Sequence, residues 1–204
     1  MEKPERQHTD CAASLEDFNV LRSRISQNNY IEYLLEFNGG YYYSDSLELY
    51  PLSKNTSVNN LMLMNSFLMQ CYGDIYGSLF AFSQDTFANQ FCFDKSGAIV
   101  LFNIETGESE QIADSFLSWQ NLLIDENEWL TGIVIREKFI RKKESSLPFA
   151  NRLCPKTPFF IGGDYDIDNL YGMSTLKCIE TNANIAKQIF YLPDNTSIVL
   201  KVVD

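Results

Sequence analysis

The chain has few of the residues on which metal and nucleophilic sites depend. Its 204 residues contain a single histidine, His8, and five cysteines with no C-x-x-C pair among them. A zinc site needs several closely spaced cysteine or histidine ligands, so we do not expect one. The G-x-S-x-G nucleophile motif and the G-x-x-x-x-G-K-S/T phosphate loop are also missing. The 27 acidic residues offer many carboxylate pairs but favour none, so an enzyme that uses such a pair stays open at this point. We predict no cofactor.

Long apolar runs are missing as well. No stretch approaches the roughly 18 residues that span a bilayer, and the polar N-terminus MEKPERQHTD lacks the apolar segment of a signal sequence. We therefore expect a cytoplasmic protein without membrane contact, in which residues 1–13 form a flexible lead-in. The cysteines are odd in number and widely spaced, which favours reduced, mostly buried thiols; they lie at positions 11, 71, 92, 154 and 178.

Positive charge is scarce. Sixteen lysines and arginines face 27 aspartates and glutamates, which gives a formal net charge of −11. Such a chain repels phosphate backbones, so nucleic acid is not an expected partner. The same charge suits a basic protein, because opposite potentials speed encounter. The alternative, an acidic surface that serves solubility alone, stays open.

The middle of the chain has the pattern of short strands joined by tight turns. Apolar stretches cover residues 79–82, 90–94, 98–103 and 109–113, and turn sequences such as Lys95-Ser96-Gly97 separate them. This pattern predicts a meander of antiparallel hairpins. Helical spacing occurs on both sides of it, so we predict an α+β domain with a largely antiparallel sheet flanked by helices over residues 14–204.

The flanking helices have recognisable ends. The segment NNYIEYLLEFNGG places apolar residues at helical spacing and should end at Asn38-Gly39, with a positive φ at Gly39 or Gly40. Further helices are predicted at residues 115–123 and 125–143. The remainder is predicted as a loop at 145–158 followed by a strand-helix-strand extension, with strands at 159–161, 176–180 and 197–203 and a helix at 182–190.

A loop with alternating acids, FFIGGDYDIDNLYGM, is the first candidate site. Asp164, Asp166 and Asp168 match the first three acidic positions of a calcium loop. The glycine expected at its sixth position is Asn169, and the glutamate expected at the twelfth is Thr175. A phosphate cradle is also disfavoured, because an acid follows Gly163 directly. We interpret the loop as a structural turn in which Asp and Asn side chains bond to nearby backbone.

Three consecutive tyrosines are the second candidate. Strand alternation would send Tyr42 to one face and Tyr41 and Tyr43 to the other. At least one is expected in the core, whereas an exposed pair would anchor a protein partner, since aromatic residues concentrate at interfaces. We take Tyr41 to Tyr43, together with the three aspartates, as the predicted partner-binding residues.

Several stretches together resemble the SUKH superfamily, which includes yeast cell-wall-assembly regulators and many bacterial immunity proteins. YIEYLLEFNGG followed by a tyrosine-rich strand and LELYPL is similar to the opening of that family. DTFANQFCFDKSGAIVLFNIETGESEQIADSF is similar to its central hairpins and the helix after them. CPKTPFFIGGDYDIDNLY with IAKQIFYLPDNTSIVLKV is similar to the C-terminal extension of longer bacterial members. The resemblance covers residues 26–203, and residues 1–25 lack the proline-led helix entry of the family.

The resemblance implies a non-enzymatic SUKH-like domain that acts by binding. Bacterial members typically neutralise a toxin delivered between competing cells, often a nuclease. The expected role is therefore a cytoplasmic immunity protein with a cognate, basic toxin as its partner. A regulatory scaffold or peptide-binding module, as in the eukaryotic relatives, is the alternative.

We predict that the aspartate loop does not bind calcium with useful affinity, because two positions of the calcium pattern are absent. Calorimetry with millimolar calcium on the wild-type protein and on Asp166→Ala should give no saturable heat in either. Saturable binding to the wild type that disappears in the variant would contradict the interpretation as a structural turn.

Overall fold

The computed structural model describes residues 3–8, 13–54, 59–143, 147–193 and 196–198. Within them the chain forms helices packed on an antiparallel sheet, which confirms the predicted α+β class. The helices are α1 (Leu15–Arg24), α2 (Asn28–Glu36), α3 (Leu61–Tyr72), α4 (Phe116–Thr131), α5 (Ile133–Lys143) and α6 (Thr175–Ile189). The strands are β1 (Gly40–Tyr42), β2 (Leu47–Leu49), β3 (Phe80–Gln84), β4 (Gln90–Phe93), β5 (Ile99–Phe102), β6 (Ser109–Ala113), β7 (Asn151–Pro155) and β8 (Leu170–Ser174).

Six strands form one antiparallel meander in the order β1-β2-β3-β4-β5-β6. The turn between β4 and β5 illustrates how the sequence fixes the register. The carboxylate of Asp94 accepts hydrogen bonds from the backbone N–H groups of Ser96 and Ala98, and Gly97 has a φ of +87°. An aspartate that bonds to the next backbone groups and a glycine in the left-handed region together define a tight hairpin.

Aromatic side chains fill the space between one face of the sheet and helices α2 and α4. Phe82 stacks on Phe93 with ring centroids 4.5 Å apart, and Trp119 meets Phe82 edge-on at 4.9 Å. Tyr30 from α2 contacts Phe116 of α4 at 5.1 Å. These rings are almost completely buried, and burial of such large apolar area is the main favourable term in the fold.

The opposite face of the sheet is covered by α3, and α6 packs in turn against α3. Asn65 ties α3 to the sheet: its amide donates to the carbonyl of Ala81 and its side-chain oxygen accepts from the N–H of the same residue. Tyr76 completes the contact by donating to that oxygen at 2.7 Å. A polar residue is tolerated in this interior because its hydrogen-bonding groups are satisfied.

Helix α3 was not predicted from the sequence. Its buried residues follow helical spacing: Leu61, Met64, Asn65, Leu68 and Tyr72. The positions between them, such as Leu63 and Met69, are exposed but also apolar. The sequence therefore does not show the alternation of apolar and polar residues that identifies an amphipathic helix.

The C-terminal part differs from the prediction in three ways. Residues 176–180, predicted as a strand, belong to the single helix α6, and residues 159–161 form a 3-10 turn. The predicted loop 145–158 contains β7, which pairs with β8 in a separate hairpin. The predicted last strand, 197–203, lies mainly outside the described residues.

Two cysteines in this part are bonded to each other. Because α6 packs against β7, the Cα atoms of Cys154 and Cys178 lie 6.4 Å apart and the structure joins their sulfurs in a disulfide. The prediction of reduced thiols is wrong for this pair. Cys71 and Cys92 are free, and Cys11 lies outside the described residues.

The N-terminal segment is not a free lead-in where the structure describes it. Arg6 forms an antiparallel bridge with Tyr41, whose N–H donates to the Arg6 carbonyl at 2.8 Å. Glu5 accepts from the N–H groups of Tyr43 and Ser44. The physical reason is that β1 is the edge of the sheet, and its unpaired backbone groups are satisfied by this segment. Across the parts of the chain that the structure describes, no helix has the length and apolarity to cross a membrane.

We predict that Gly39 is a stability-determining residue. Its φ of +83° agrees with the sequence prediction, and a Cβ there would lie 2.6 Å from the carbonyl oxygen of Leu49. Gly39→Ala should therefore cost clearly more than the roughly 1 kcal/mol that a left-handed conformation alone costs. The matched control is Gly162→Ala, with a φ of +90° but no atom within 4 Å of its Cβ. Equal thermal midpoints for the two variants would contradict the role of the close approach.

Candidate functional site

The most polar part of the interior surrounds Glu48 on β2. This carboxylate is fully buried. Its Oε1 accepts from the Tyr41 hydroxyl at 2.8 Å, and its Oε2 accepts from the side chains of Arg152 and Gln84. Asn59 donates to Oε2 at 3.1 Å. A buried carboxylate is stable only when a positive charge and several donors compensate the lost hydration, and Glu48 has both.

Arginine side chains supply the positive charge of this buried centre. Arg152 on β7 is fully buried and forms the ion pair with Glu48. Arg136 on α5, also fully buried, donates to the carbonyls of Ser44 and Asn151. Burial, and secondarily the charge of Arg152, lower the pKa of Arg136 to about 9. We call Glu48, together with Tyr41, Gln84, Asn59, Arg136 and Arg152, the Glu48 centre. It connects β2, α5 and β7.

His8 closes the centre from the N-terminal side. Its Nε2 lies 3.2 Å from the carbonyl oxygen of Leu49 and 3.8 Å from Oε1 of Glu48. Burial lowers the pKa of His8, so the neutral ring is favoured and its Nε2–H donates to the carbonyl. The side chains of Glu48, Arg152 and His8 are almost completely buried, so the centre is part of the interior packing of the fold.

Nothing in the described parts of the chain brings three histidine, cysteine, aspartate or glutamate side chains together in a way that could hold a metal ion. That the aspartate loop does not bind calcium stays a prediction, which the calorimetry described above tests.

The tyrosine run is mostly interior. Tyr41 is 2% exposed and faces Glu48, whereas Tyr42 is 6% exposed and its hydroxyl lies 2.9 Å from that of Tyr33. The predicted alternation is thus observed for these two. Tyr43 has a φ of +54° in the following turn, so alternation ends there, and its hydroxyl reaches the Leu123 carbonyl at 3.5 Å. The three tyrosines therefore do not form an exposed pair. Their partner-binding role stays a prediction, and Tyr43 is the one of the three that is partly exposed.

The aspartate loop lies on a different element, the connection between β7 and β8. Asp166 accepts from the N–H of Asp168 and caps a short 3-10 turn. Asn169 bonds to the backbone of Thr157 and of Asp164. These contacts are those of a structural turn. The side chains of Asp164, Asp166 and Asp168 are exposed, and Asp168 pairs with Lys142 at 2.7 Å, so their partner-binding role stays a prediction.

An open groove of about 660 Å³ lies where α4 passes the turn after β1. Tyr42, Tyr43 and the buried Leu123 form its base. One side of α4 forms a wall with Leu117, Gln120, Asn121, Ile124 and Asn127, and Lys3 and Glu5 border the N-terminal side. Leu117 and Ile124 are 52% and 70% exposed, a large apolar exposure for one helix. We call this feature the α4 groove.

Acidic side chains follow the groove residue Ile124 along α4, although they do not line the α4 groove themselves. Asp125, Glu126 and Glu128 follow Ile124 directly and are all exposed. None of the three forms an ion pair with another of the residues that the structure describes. The charge of Glu36 on α2 acts on Tyr42 and helps to raise the pKa of that hydroxyl, although burial is the larger cause.

Sequence reasoning did not identify the α4 groove. Phe116, Trp119 and Leu123 lie on one face of α4, and all three are buried. The available signal was Leu117 and Ile124, two apolar residues seven positions apart that lie outside that face. The predicted second helix from residue 125 is also corrected: α4 continues to Thr131 with a kink at Glu126 and ends at the left-handed Gly132.

Comparison with known proteins agrees with this fold. The model of the SMI1/KNR4 family (SUKH-1) matches residues 13–121, more than half of the chain. The chain belongs to the SMI1/KNR4 (SUKH-1) family, whose members are commonly immunity proteins and generally not enzymes. The resemblance inferred from the sequence motifs is thereby confirmed.

A solved structure has the same fold. The crystal structure of Atu4351 from Agrobacterium tumefaciens is similar with a TM-score of 0.61 and 14% sequence identity. The match covers 89% of this chain and 84% of that chain, so it extends beyond the region of the family model. No curated protein matches the chain.

We predict that loss of Arg152 strongly destabilises the protein. Arg152→Met leaves the Glu48 carboxylate buried without its cation, which should cost about 3–5 kcal/mol in the free energy of unfolding. The control is Lys142→Met, which removes the exposed ion pair with Asp168 and should change the urea midpoint little. A small effect of Arg152→Met, similar to that of the control, would show that the Glu48 centre is not essential to the fold.

Proposed function

We propose that this protein is a cytoplasmic, non-enzymatic immunity protein that binds and neutralises a cognate bacterial toxin domain. The observation that carries the proposal is membership in the SMI1/KNR4 (SUKH-1) family. The Glu48 centre supports it, because its carboxylate is fully buried and held by Arg152, Gln84 and Tyr41 in structural contacts. The exposed α4 groove supports it too, because a binding protein needs accessible apolar surface.

The net charge suggests the kind of toxin. A nuclease must hold phosphate and therefore carries a basic groove, and a protein of charge −11 can occupy such a groove by electrostatic complementarity. Attraction of this kind raises the association rate above the roughly 10⁵–10⁶ M⁻¹s⁻¹ of neutral partners. A basic nuclease domain is accordingly the toxin class that fits best.

We predict that the toxin domain encoded beside this gene forms a tight one-to-one complex with the protein, and that co-expression rescues cells from that toxin. The association rate should fall as salt is raised, whereas the dissociation rate should respond less, because it depends on buried contacts. Surface plasmon resonance at low and high ionic strength measures both rates.

The control is a catalytically inactive form of the same toxin domain, which should bind equally well if protection acts by direct blocking. Protection without a physical complex, or a complex without protection, would contradict the proposal. If the association rate does not change with salt concentration, the immunity role would stand but the electrostatic attraction would be contradicted.

A further inference from the structure

We propose that the α4 groove is the docking surface for the toxin, and that it takes a basic segment carrying one apolar anchor side chain. The inference rests on the proposed function and deepens it. The occupant is identified by two observations that are independent of the family: the exposed apolar side chains of Leu117 and Ile124 in the groove, and the acidic residues that follow Ile124 on the same helix.

The apolar part fits an inserted side chain. Leu117 and Ile124 lie two helical turns apart on α4, and the side of the helix between them consists of the uncharged polar residues Gln120 and Asn121. The base is rigid, because Tyr42 and Leu123 are buried in the core. A groove with a fixed base and exposed walls loses little conformational entropy on binding, which favours tight complexes.

The charged part selects a basic occupant. Asp125, Glu126 and Glu128 lie directly after Ile124, and Glu36 lies near Tyr42. Lys3 is the positive side chain among the residues that line the groove, which also include Glu5, and the carboxylate of Glu5 accepts from two backbone N–H groups. Lysine or arginine flanking an apolar anchor would place positive charge over the three carboxylates that have no ion pair within the described residues.

Another apolar groove lacks this combination. Leu63, Phe67 and Leu176 line a groove of about 270 Å³ between α3 and α6, on the opposite side of the sheet from α4. Its remaining lining residues are uncharged, so charge does not select an occupant there. It supplies instead a matched site for control variants.

The experiment compares two arginine substitutions in binding to the inactive toxin domain encoded beside this gene. Ile124→Arg changes the α4 groove, whereas Leu63→Arg adds the same charge at a residue that is 45% exposed on the other side of the sheet. We expect Ile124→Arg to raise Kd at least about tenfold and Leu63→Arg to leave it within about twofold. Circular dichroism melts establish that both variants are folded.

A second pair of variants tests the charge. Asp125→Asn with Glu128→Gln should lower the association rate several-fold at low salt. Glu108→Gln with Glu110→Gln removes two exposed acids, one directly before β6 and one within it, at the opposite edge of the sheet from β1, and should have a smaller effect. Equal effects of the two pairs would overturn the basic-segment assignment.

The remaining outcomes are decisive as well. A complex that forms normally with Ile124→Arg would overturn the docking surface while the immunity role stands. The absence of any complex with the wild type would overturn both. Light scattering that shows a dimer dissolved by Ile124→Arg would identify a second copy of this chain as the occupant and would also overturn the proposal.

Discussion

The position of the β7–β8 hairpin and α6 relative to the six-stranded sheet depends on one interaction, the ion pair between Glu48 and Arg152. Glu48 belongs to the six-stranded sheet, whereas Arg152 belongs to the hairpin beyond the region of the family model. Thr175 at the start of α6 accepts from Gln84 beside the pair and donates to the carbonyl of Ala150. Because a buried charge without its partner is costly, the pair holds the hairpin and α6 in one position relative to the sheet.

The same constraint extends to the helix that carries the α4 groove. Arg136 from α5 joins the same buried centre, and α5 follows α4 after a single glycine, Gly132. On its other side α4 is fixed by Trp119 against the rings of the sheet. The α4 groove therefore lies on a helix that is held at both ends. A pre-formed surface suits a protein whose proposed role is fast capture of a toxin.

The hairpins could be predicted because their information is local: alternating apolar residues and turns such as Asp94 to Gly97 lie within a few positions of each other. The left-handed turn at Asn38 and Gly39 after α2 is local for the same reason. The Glu48 centre could not be predicted, because Arg152 follows 104 positions later and only the folded chain brings them together. The single helix α6 was predicted as a strand followed by a helix, because the five residues 176–180 are too few to show helical periodicity on their own. Predicting the α4 groove would have required knowing which face of the helix the sheet covers. Without that knowledge, Leu117 and Ile124 could not be distinguished from core residues.

The most direct test of the account is hydrogen exchange of the protein alone and in complex with the inactive toxin domain encoded beside it. Slow exchange in the free protein should extend through β2, β7 and α6 as one unit, and binding should slow exchange further in residues 117–131 and in the turn after β1. Exchange in α3 should stay unchanged on binding. Protection confined to α3 and α6, or to the connection between β7 and β8, would contradict the assignment of the α4 groove as the binding surface.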